Sequence, residues 1–457
     1  MPSFQRLIRA GFLSAVSALA LTAGSQASAA TLQEALVEAY NSNPALLAER
    51  ANLRATDEEL AQANAGWRPS VSINGSASSS TNYAGVGQSN SNAWNASISA
   101  RQPLYEGGRV SAQRDLAKAQ IRAGRARLTG TESNILLSTV TAYTDVVRDL
   151  AVVDLSRRQV EVLSRERQAS QDRFDVGEIT RTDVSQAEAR LSGARTSLIS
   201  SQAQLEASRA AYIRIIGRPP ADLERAPPLP RLPDSLAEAI DSALLLNPSL
   251  VAARESQLAS EAAIDLATSA LLPNVNLEAQ YSRGGSDQRG IFANPDTDQA
   301  SIGIGASVPL YQGGGEYASI RQAKQTNSQN RLLATQTERE AIEDVTNAWE
   351  GLVAARASIS SAQDQVRASE IAYEGVRQEA DVGARTTLDV LNAEQELLNA
   401  RVTLITNQRN EYVAAYALLA AMGRLTAADL GLPVEVYDPV VHAEDVDGQL
   451  IGVGGDD

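Results

Sequence analysis

The chain has 457 residues, no Cys, one His, two Met, 4% aromatic residues and a formal net charge of −15. Without Cys and with a lone His, a Cys/His metal centre and a Cys nucleophile are excluded, and the acid excess repels nucleic acid while favouring cations in any passage the chain lines. Few bulky side chains and many Ala and Ser argue against one large globular core and for helices packed closely side by side.

Residues 1–29 are expected to be a secretory signal peptide. Arg6 and Arg9 supply its charged region, Ala10 to Ala23 its apolar core, and Ala27-Ser28-Ala29 an A-x-A cleavage site. Cleavage there leaves 38 basic and 55 acidic side chains, a net −17. No Cys follows that could accept a lipid, and no later stretch reads as apolar enough to cross a bilayer as a helix.

Self-comparison shows a duplication. Asn43-Pro44 recurs as Asn247-Pro248, an offset of 204, and Pro69 as Pro273 at the same offset. Pro103-Leu104-Tyr105-Glu106-Gly107-Gly108 recurs as Pro309-Leu310-Tyr311-Gln312-Gly313-Gly314, Val176-Gly177 as Val382-Gly383, and Gly217-Arg218 as Gly423-Arg424, all at 206. The expected organisation is a first repeat over 30–217, a Pro-rich linker over 218–234, a second repeat over 235–432, and an acidic, disordered tail over 433–457.

Each repeat opens with a helix, expected from Leu32 to Ala65 and from Leu236 to Ala270, the second with an Asn-Pro break near Asn247. Strands of around ten residues follow. Val71 and Ile73 alternate with Ser70, Ser72 and Asn74; Val275, Leu277, Ala279 and Tyr281 alternate with Asn276, Glu278, Gln280 and Ser282; and Ile302 and Ile304 alternate with Gly303 and Gly305. The Ser/Asn/Gly-rich stretches between them read as loops. That strand length crosses an outer membrane when tilted, although a soluble hairpin has the same pattern.

A Pro-free helix comes next, about Arg109 to Phe174 and again Glu316 to Ala380, some ~65 residues or roughly 100 Å. Val146, Val153 and Val160 recur every seven residues, as do Val345, Leu352, Ile359, Val366 and Tyr373. That period argues for supercoiled packing. Gly177 and Gly383 end these helices, Thr180 and Thr386 are N-cap candidates for returning helices, and Asp183 and Asp389 stand where a capping box needs an acceptor. Each unit is therefore a long helical hairpin with a tight tip. Four amphipathic strands with two open edges cannot sit in a bilayer alone, so several chains must share one barrel. The competing reading is a non-pore periplasmic coiled-coil adaptor or structural protein.

The duplication, the Asn-Pro pairs, the Pro-Leu-Tyr strand ends and the Val-Gly tips together resemble the TolC family of outer-membrane efflux and secretion ducts, over about Thr31 to Pro433. The fold this resemblance implies is mainly α with β: duplicated helical hairpins forming a periplasmic α-barrel, and four strands per chain in the 12-stranded β-barrel of a homotrimer embedded in outer-membrane lipid. It also implies a passive exit duct of a tripartite efflux pump or type I secretion system, passing drugs or proteins and working with a periplasmic adaptor and an inner-membrane pump. No enzyme activity, cofactor or nucleic-acid partner is implied. By the same resemblance Thr182 and Asp183 match acceptors of a lock at the periplasmic mouth, Arg385 the basic residue that reaches them, and Asp389 an acidic ring. Val176, Gly177, Val382 and Gly383 match the motif that meets the adaptor. Ala380 and Asn392 depart from the pattern, standing where a Tyr and a second acidic ring would be, which implies a looser lock.

Overall fold

The computed structural model describes residues 31–84, 87–224, 227–288, 294–449 and 452. The expected signal peptide lies outside the described residues.

The first helix of each repeat is two helices. α1 (Leu32–Ser42) and α2 (Pro44–Ala65) meet at Asn43, and the later pair Leu236–Leu246 and Pro248–Ser269 meet at Asn247. A single helix over 32–65 was expected in the first repeat, but Pro44 forces its predecessor into extended backbone, φ −67° and ψ 121°. The Asn43 side chain then accepts from the Ala45 N–H at 2.9 Å and starts α2.

Strands β1 (Ser70–Ala84) and β2 (Gly87–Glu106) follow, then the long helix α3 (Arg109–Asp175) and its return α4 (Arg181–Ile216). The second repeat supplies α5 (Leu236–Leu246), α6 (Pro248–Ser269), β3 (Asn274–Gln288), β4 (Asn294–Ser307), α7 (Gly315–Asp381) and α8 (Thr387–Ala421). α3 and α7 have 67 residues each, about 100 Å of helix. The stretch Leu236–Ser269 is apolar enough to cross a membrane by composition, against the reading from sequence. Asn247-Pro248 divides it into helices of 11 and 22 residues, and these pack on α3 and α7.

The strands are longer than the expected ten residues, at 15, 20, 15 and 14. Much of what read as loop is ladder: pairing of β1 with β2 runs on from Ser78↔Ala93 to Ala84↔Gly87. Backbone pairing continues where the apolar/polar alternation stops, and a ladder with water on both faces needs no alternation. The sheet order is β1-β2-β3-β4, antiparallel throughout, so β2 and β3 join the two repeats.

The helices form one layer in the same sense. Near the sheet the contact order is α2–α3–α6–α7; toward the tips it is α4–α3–α8–α7. α3 lies inside this layer and α7 at its edge. The largest apolar cluster joins α1, α3 and α4 to Tyr416, Leu419, Leu425, Ala427 and Leu432, which follow or end α8. The expected disordered tail is corrected as far as the described residues reach. A short helix α9 (Val441–Asp447) lies along α2 and buries Ala443 and Val446. His442 Nδ1 is 3.3 Å from Asp57 Oδ2, and Arg68 donates to the Gln449 carbonyl at 2.6 Å. The acidic composition hid one apolar pair at i,i+3 spacing, which is enough to dock two turns of helix.

Candidate functional site: the helical tips and the amphipathic sheet

Both tips are built alike. Gly177 at φ 83° and Gly383 at φ 78° close α3 and α7 in the left-handed conformation. Val176 and Val382 beside them are about four-fifths exposed, at 79% and 80%. Thr180 Oγ1 donates to Asp183 Oδ2 at 2.7 Å and accepts from the Asp183 N–H at 3.4 Å, and the Thr180 N–H donates to the same carboxylate at 2.9 Å. Thr386 and Asp389 repeat this at 2.8, 3.3 and 3.1 Å. These two carboxylates are therefore capping-box acceptors. Hydrogen bonds from the Thr180 hydroxyl and N–H hold Asp183 below the usual carboxylate range, and those from Thr386 do the same for Asp389.

Arg385 has a partner within its own hairpin. Its Nε donates to Glu379 Oε2 at 2.8 Å. The Thr182 and Asp183 positions lie on the other hairpin, and within one chain Arg385 does not pair with them. Asn392 does reach that hairpin: its side-chain oxygen accepts from Arg190 Nη2 at 2.7 Å. Arg173 and Asp381, at 3.9 Å, form a second link between hairpins. Ala380 contributes no polar side chain. Arg190 and Glu379 were missed from the sequence, because their roles depend on pairings six to two hundred residues away.

Glu394, also missed, lies on α8 just above the tip and is 6% exposed. Tyr373, Glu370 and Glu374 of α7, Arg401 of α8 and Gln159 of α3 share its cavity. Burial, then the nearby charge of Glu166, pushes its carboxyl up to about 7 against a weaker pull from Arg165. The folded value thus exceeds the unfolded one, so the folded state binds the extra proton between about 4.5 and 7. Stability associated with Glu394 is fully present at the acidic end and is lost as pH rises through about 7. Glu394→Gln is expected to raise the thermal midpoint at pH 8 and to leave it unchanged at pH 4. A midpoint difference that does not depend on pH would assign the effect to packing instead.

The sheet presents two chemically distinct faces. The register places Ile73, Ile98 and Tyr281 in one cross-strand row, Val71, Ala100, Ala279 and Ile302 in the next, and Leu277 with Ile304 in a third. Ile73 is 80% and Ile302 77% exposed, so the apolar face has no cover within the chain. The opposite face carries Ser72, Ser99, Gln280 and Ser301 in one row, with Ser72 and Ser99 hydroxyls 2.8 Å apart. One face thus suits hydrocarbon and the other water, as a transmembrane β-barrel requires. Among the described residues no group of His, Cys, Asp or Glu is arranged to hold a metal ion.

Comparison with known proteins gives the same picture. The model of the outer membrane efflux protein family matches residues 35–218 and 239–424, segments whose starts differ by 204 and whose ends differ by 206, the offsets of the internal repeat. The outer membrane efflux protein BepC of Brucella suis is 34% identical over 438 residues, covering 94% of this chain and 93% of BepC. The outer membrane protein TolC of Escherichia coli is 27% identical, covering 88% of this chain and 84% of TolC. The crystal structure of the Campylobacter jejuni CmeC outer membrane channel has the same fold, with a TM-score of 0.76 at 16% identity, covering 91% of this chain and 89% of that one. The long hairpins with a four-strand sheet are the channel fold, and the protein is an exit duct of the outer membrane that extends into the periplasm. The non-pore adaptor reading is set aside, since the sheet has the faces and length of a membrane barrel segment. The chain belongs to the outer membrane efflux protein family, whose members are channels rather than enzymes.

Proposed function

We propose that three copies of this chain close into one tube, with about twelve strands in the outer membrane and a ring of long helices below. The observation that carries this is the unequal burial of two duplicate helices. α3 buries 24 of its 67 residues; α7, of the same length and seam, buries five. α3 has neighbours on both sides, whereas α7 has a free edge, as do β1 and β4. Within the seam Val345 and Leu352 are buried, while Ile359, Val366 and Tyr373 are only half covered. Gly107 makes the same point: a Cβ there would lie 2.6 Å from Leu272 Cβ, while its repeat partner Gly313 faces open space. Because the repeats are equivalent, the α7 and β4 edge of one chain can meet the α4 and β1 edge of the next as α3 and β2 meet α8 and β3 within it, and in a closed ring no strand edge is left unpaired in lipid.

The tube serves as the passive end of an export system for drugs or proteins. A periplasmic adaptor engages the exposed Val176-Gly177 and Val382-Gly383 tips, and an inner-membrane pump supplies the energy. The periplasmic mouth is held by Thr182, Asp183 and Arg385 across neighbouring chains, with Asp389 as a ring of carboxylates that stays ionised into acid and concentrates cations. Asn392 is tied to Arg190 rather than presented to the lumen as a second anionic ring, and Ala380 offers Asp183 no hydroxyl, so the closure is looser than a lock with all partners present.

Single-channel conductance in a planar bilayer tests this. The protein is expected to show a small, cation-selective conductance that rises severalfold in Arg385→Ala. Glu379→Gln separates the two partners of Arg385: releasing the arginine from its own hairpin should leave the conductance low. A wide pore indifferent to both substitutions would remove these residues from the closure.

A further inference from the structure

The two repeats carry the same three-part module where the long helices meet the helix elbows. In the first repeat, Arg50 reaches back to the Tyr40 carbonyl at 3.4 Å and acts electrostatically on Glu132 of α3. In the second, Arg254 reaches the Leu244 carbonyl at 2.8 Å and Glu338 of α7 at 3.0 Å. Arg50 and Tyr40 map onto Arg254 and Leu244 at an offset of 204, and Glu132 onto Glu338 at 206. The frames around the modules also agree. Asn43 donates to the Ile215 carbonyl at 2.8 Å and Asn247 to that of Ala421 at 3.0 Å. α4 is then followed by a left-handed glycine at Gly217, φ 91°, and α8 by one at Gly423, φ 75°. Both return helices thus end on the same frame and turn at a left-handed glycine, although the closing bonds differ: the Gly217 N–H donates to the Ile213 carbonyl, whereas the Gly423 N–H donates to that of Ala420 and the Arg424 N–H to that of Leu419.

The modules differ in what lies over them. In the first repeat the segment after α8 roofs the module: the Ala427 N–H donates to Glu132 at 2.6 Å, and the Tyr437 ring lies 5.1 Å from the Arg50 guanidinium carbon. In the second repeat nothing among the described residues does this, and the Arg254 and Glu338 side chains are each 45% exposed. The segment equivalent to the roof is the start of the inter-repeat linker. At an offset of 206, Leu425-Thr426-Ala427 becomes Pro219-Pro220-Ala221, so Ala221 carries the first backbone N–H after the two prolines and is exposed.

We infer that the Pro219-Pro220-Ala221 turn of one subunit roofs Glu338 and Arg254 of the adjacent subunit, with the Ala221 N–H donating to the Glu338 carboxylate. The geometry follows from ring order. α8 lies against α3 within a chain, and in a closed ring α4 lies against the α7 of the preceding chain in the same relation. The roof of the second module is then the neighbour's linker, as the roof of the first is the chain's own tail. The equivalence ends soon after Ala221. Arg231 stands where Tyr437 does, so no ring covers Arg254, and the linker turns back to begin α5. The contact rests on the closed-ring reading above and assigns residues to its subunit boundary.

The protein has no cysteine, so introduced thiols report alone. In the double variant Ala221→Cys, Glu338→Cys, a short bifunctional thiol reagent is expected to convert membrane-inserted protein to covalent dimers and trimers on a denaturing gel. Neither single variant should do so. The equivalent pair Ala427→Cys, Glu132→Cys calibrates the reagent's reach, because it should crosslink within one chain and give no ladder. Light scattering on the same detergent-purified samples gives the oligomeric state separately. A trimer by scattering that forms no ladder, while the calibrating pair reacts, overturns the contact and leaves the ring intact. A monomer overturns both.

Discussion

Ile302→Arg is expected to destabilise the membrane barrel by about 2–4 kcal/mol, the cost of a cation on the lipid face near the bilayer centre. Ile302 faces Ala279 across the β3–β4 ladder and has Ala300 and Ile304 on the same face of its own strand, so the guanidinium would be set among apolar side chains. The readout is the yield of heat-modifiable oligomer in the outer-membrane fraction, which should collapse. Ser301→Arg, one residue away on the opposite face beside Gln280, is the control and should assemble normally. In a cation-preferring lumen it should also lower cation conductance. Equal loss from both substitutions would mean that neither face meets lipid as assigned.

Gly423→Ala is expected to cost about 3 kcal/mol, from roughly 1–2 kcal/mol for a side chain in the left-handed conformation and about 1–3 kcal/mol for forced displacement of packed backbone. Gly423 sits at φ 75° against the α5–α6 elbow, where an added Cβ would overlap the Leu246 carbonyl and come within 2.8 Å of the Asn247 nitrogen. Backbone on both sides cannot yield without unseating the Asn247 cap. Gly383→Ala keeps the conformational cost but meets open space, so it should lose only the first part. Denaturant midpoints of the two variants, measured side by side, check the difference. A similar loss in both would show that the elbow relaxes around the new methyl group.

The parts of this protein that were legible in the sequence are those in which cause and effect lie within a few residues. Thr180 with Asp183 and Thr386 with Asp389 are capping boxes because three residues suffice to make one. Gly177 and Gly383 end helices for reasons local to one peptide. The strands were found where alternation marks a two-faced ladder and lost where polar residues occupy both faces, as beyond Ser78. α9 was missed because its apolar pair is legible only beside the surface of α2 that it covers.

The candidate site was only half visible for a related reason. Asp183, Arg385 and Asp389 were singled out by position, but the partner that Arg385 takes within the chain, Glu379, is set by how the tip turn folds back on its own helix, and the one that Asn392 takes, Arg190, by how two hairpins lie together. Glu394 is an ordinary acid on paper, and only packing against α3 and α7 buries it beside Glu166.

The sequence by itself determined the duplication, the length of the hairpins, their tips and caps, and the two-faced strands, since periodicity and capping act over one or two turns of chain. Only the tertiary structure decided that β2 pairs with β3, that α3 is enclosed while its duplicate α7 is not, and that the chain's own tail roofs one module and leaves its copy open. Two nearly equal repeats carry the same local instructions; what distinguishes them is which neighbour each meets, and that is set by packing between segments 202 to 295 residues apart.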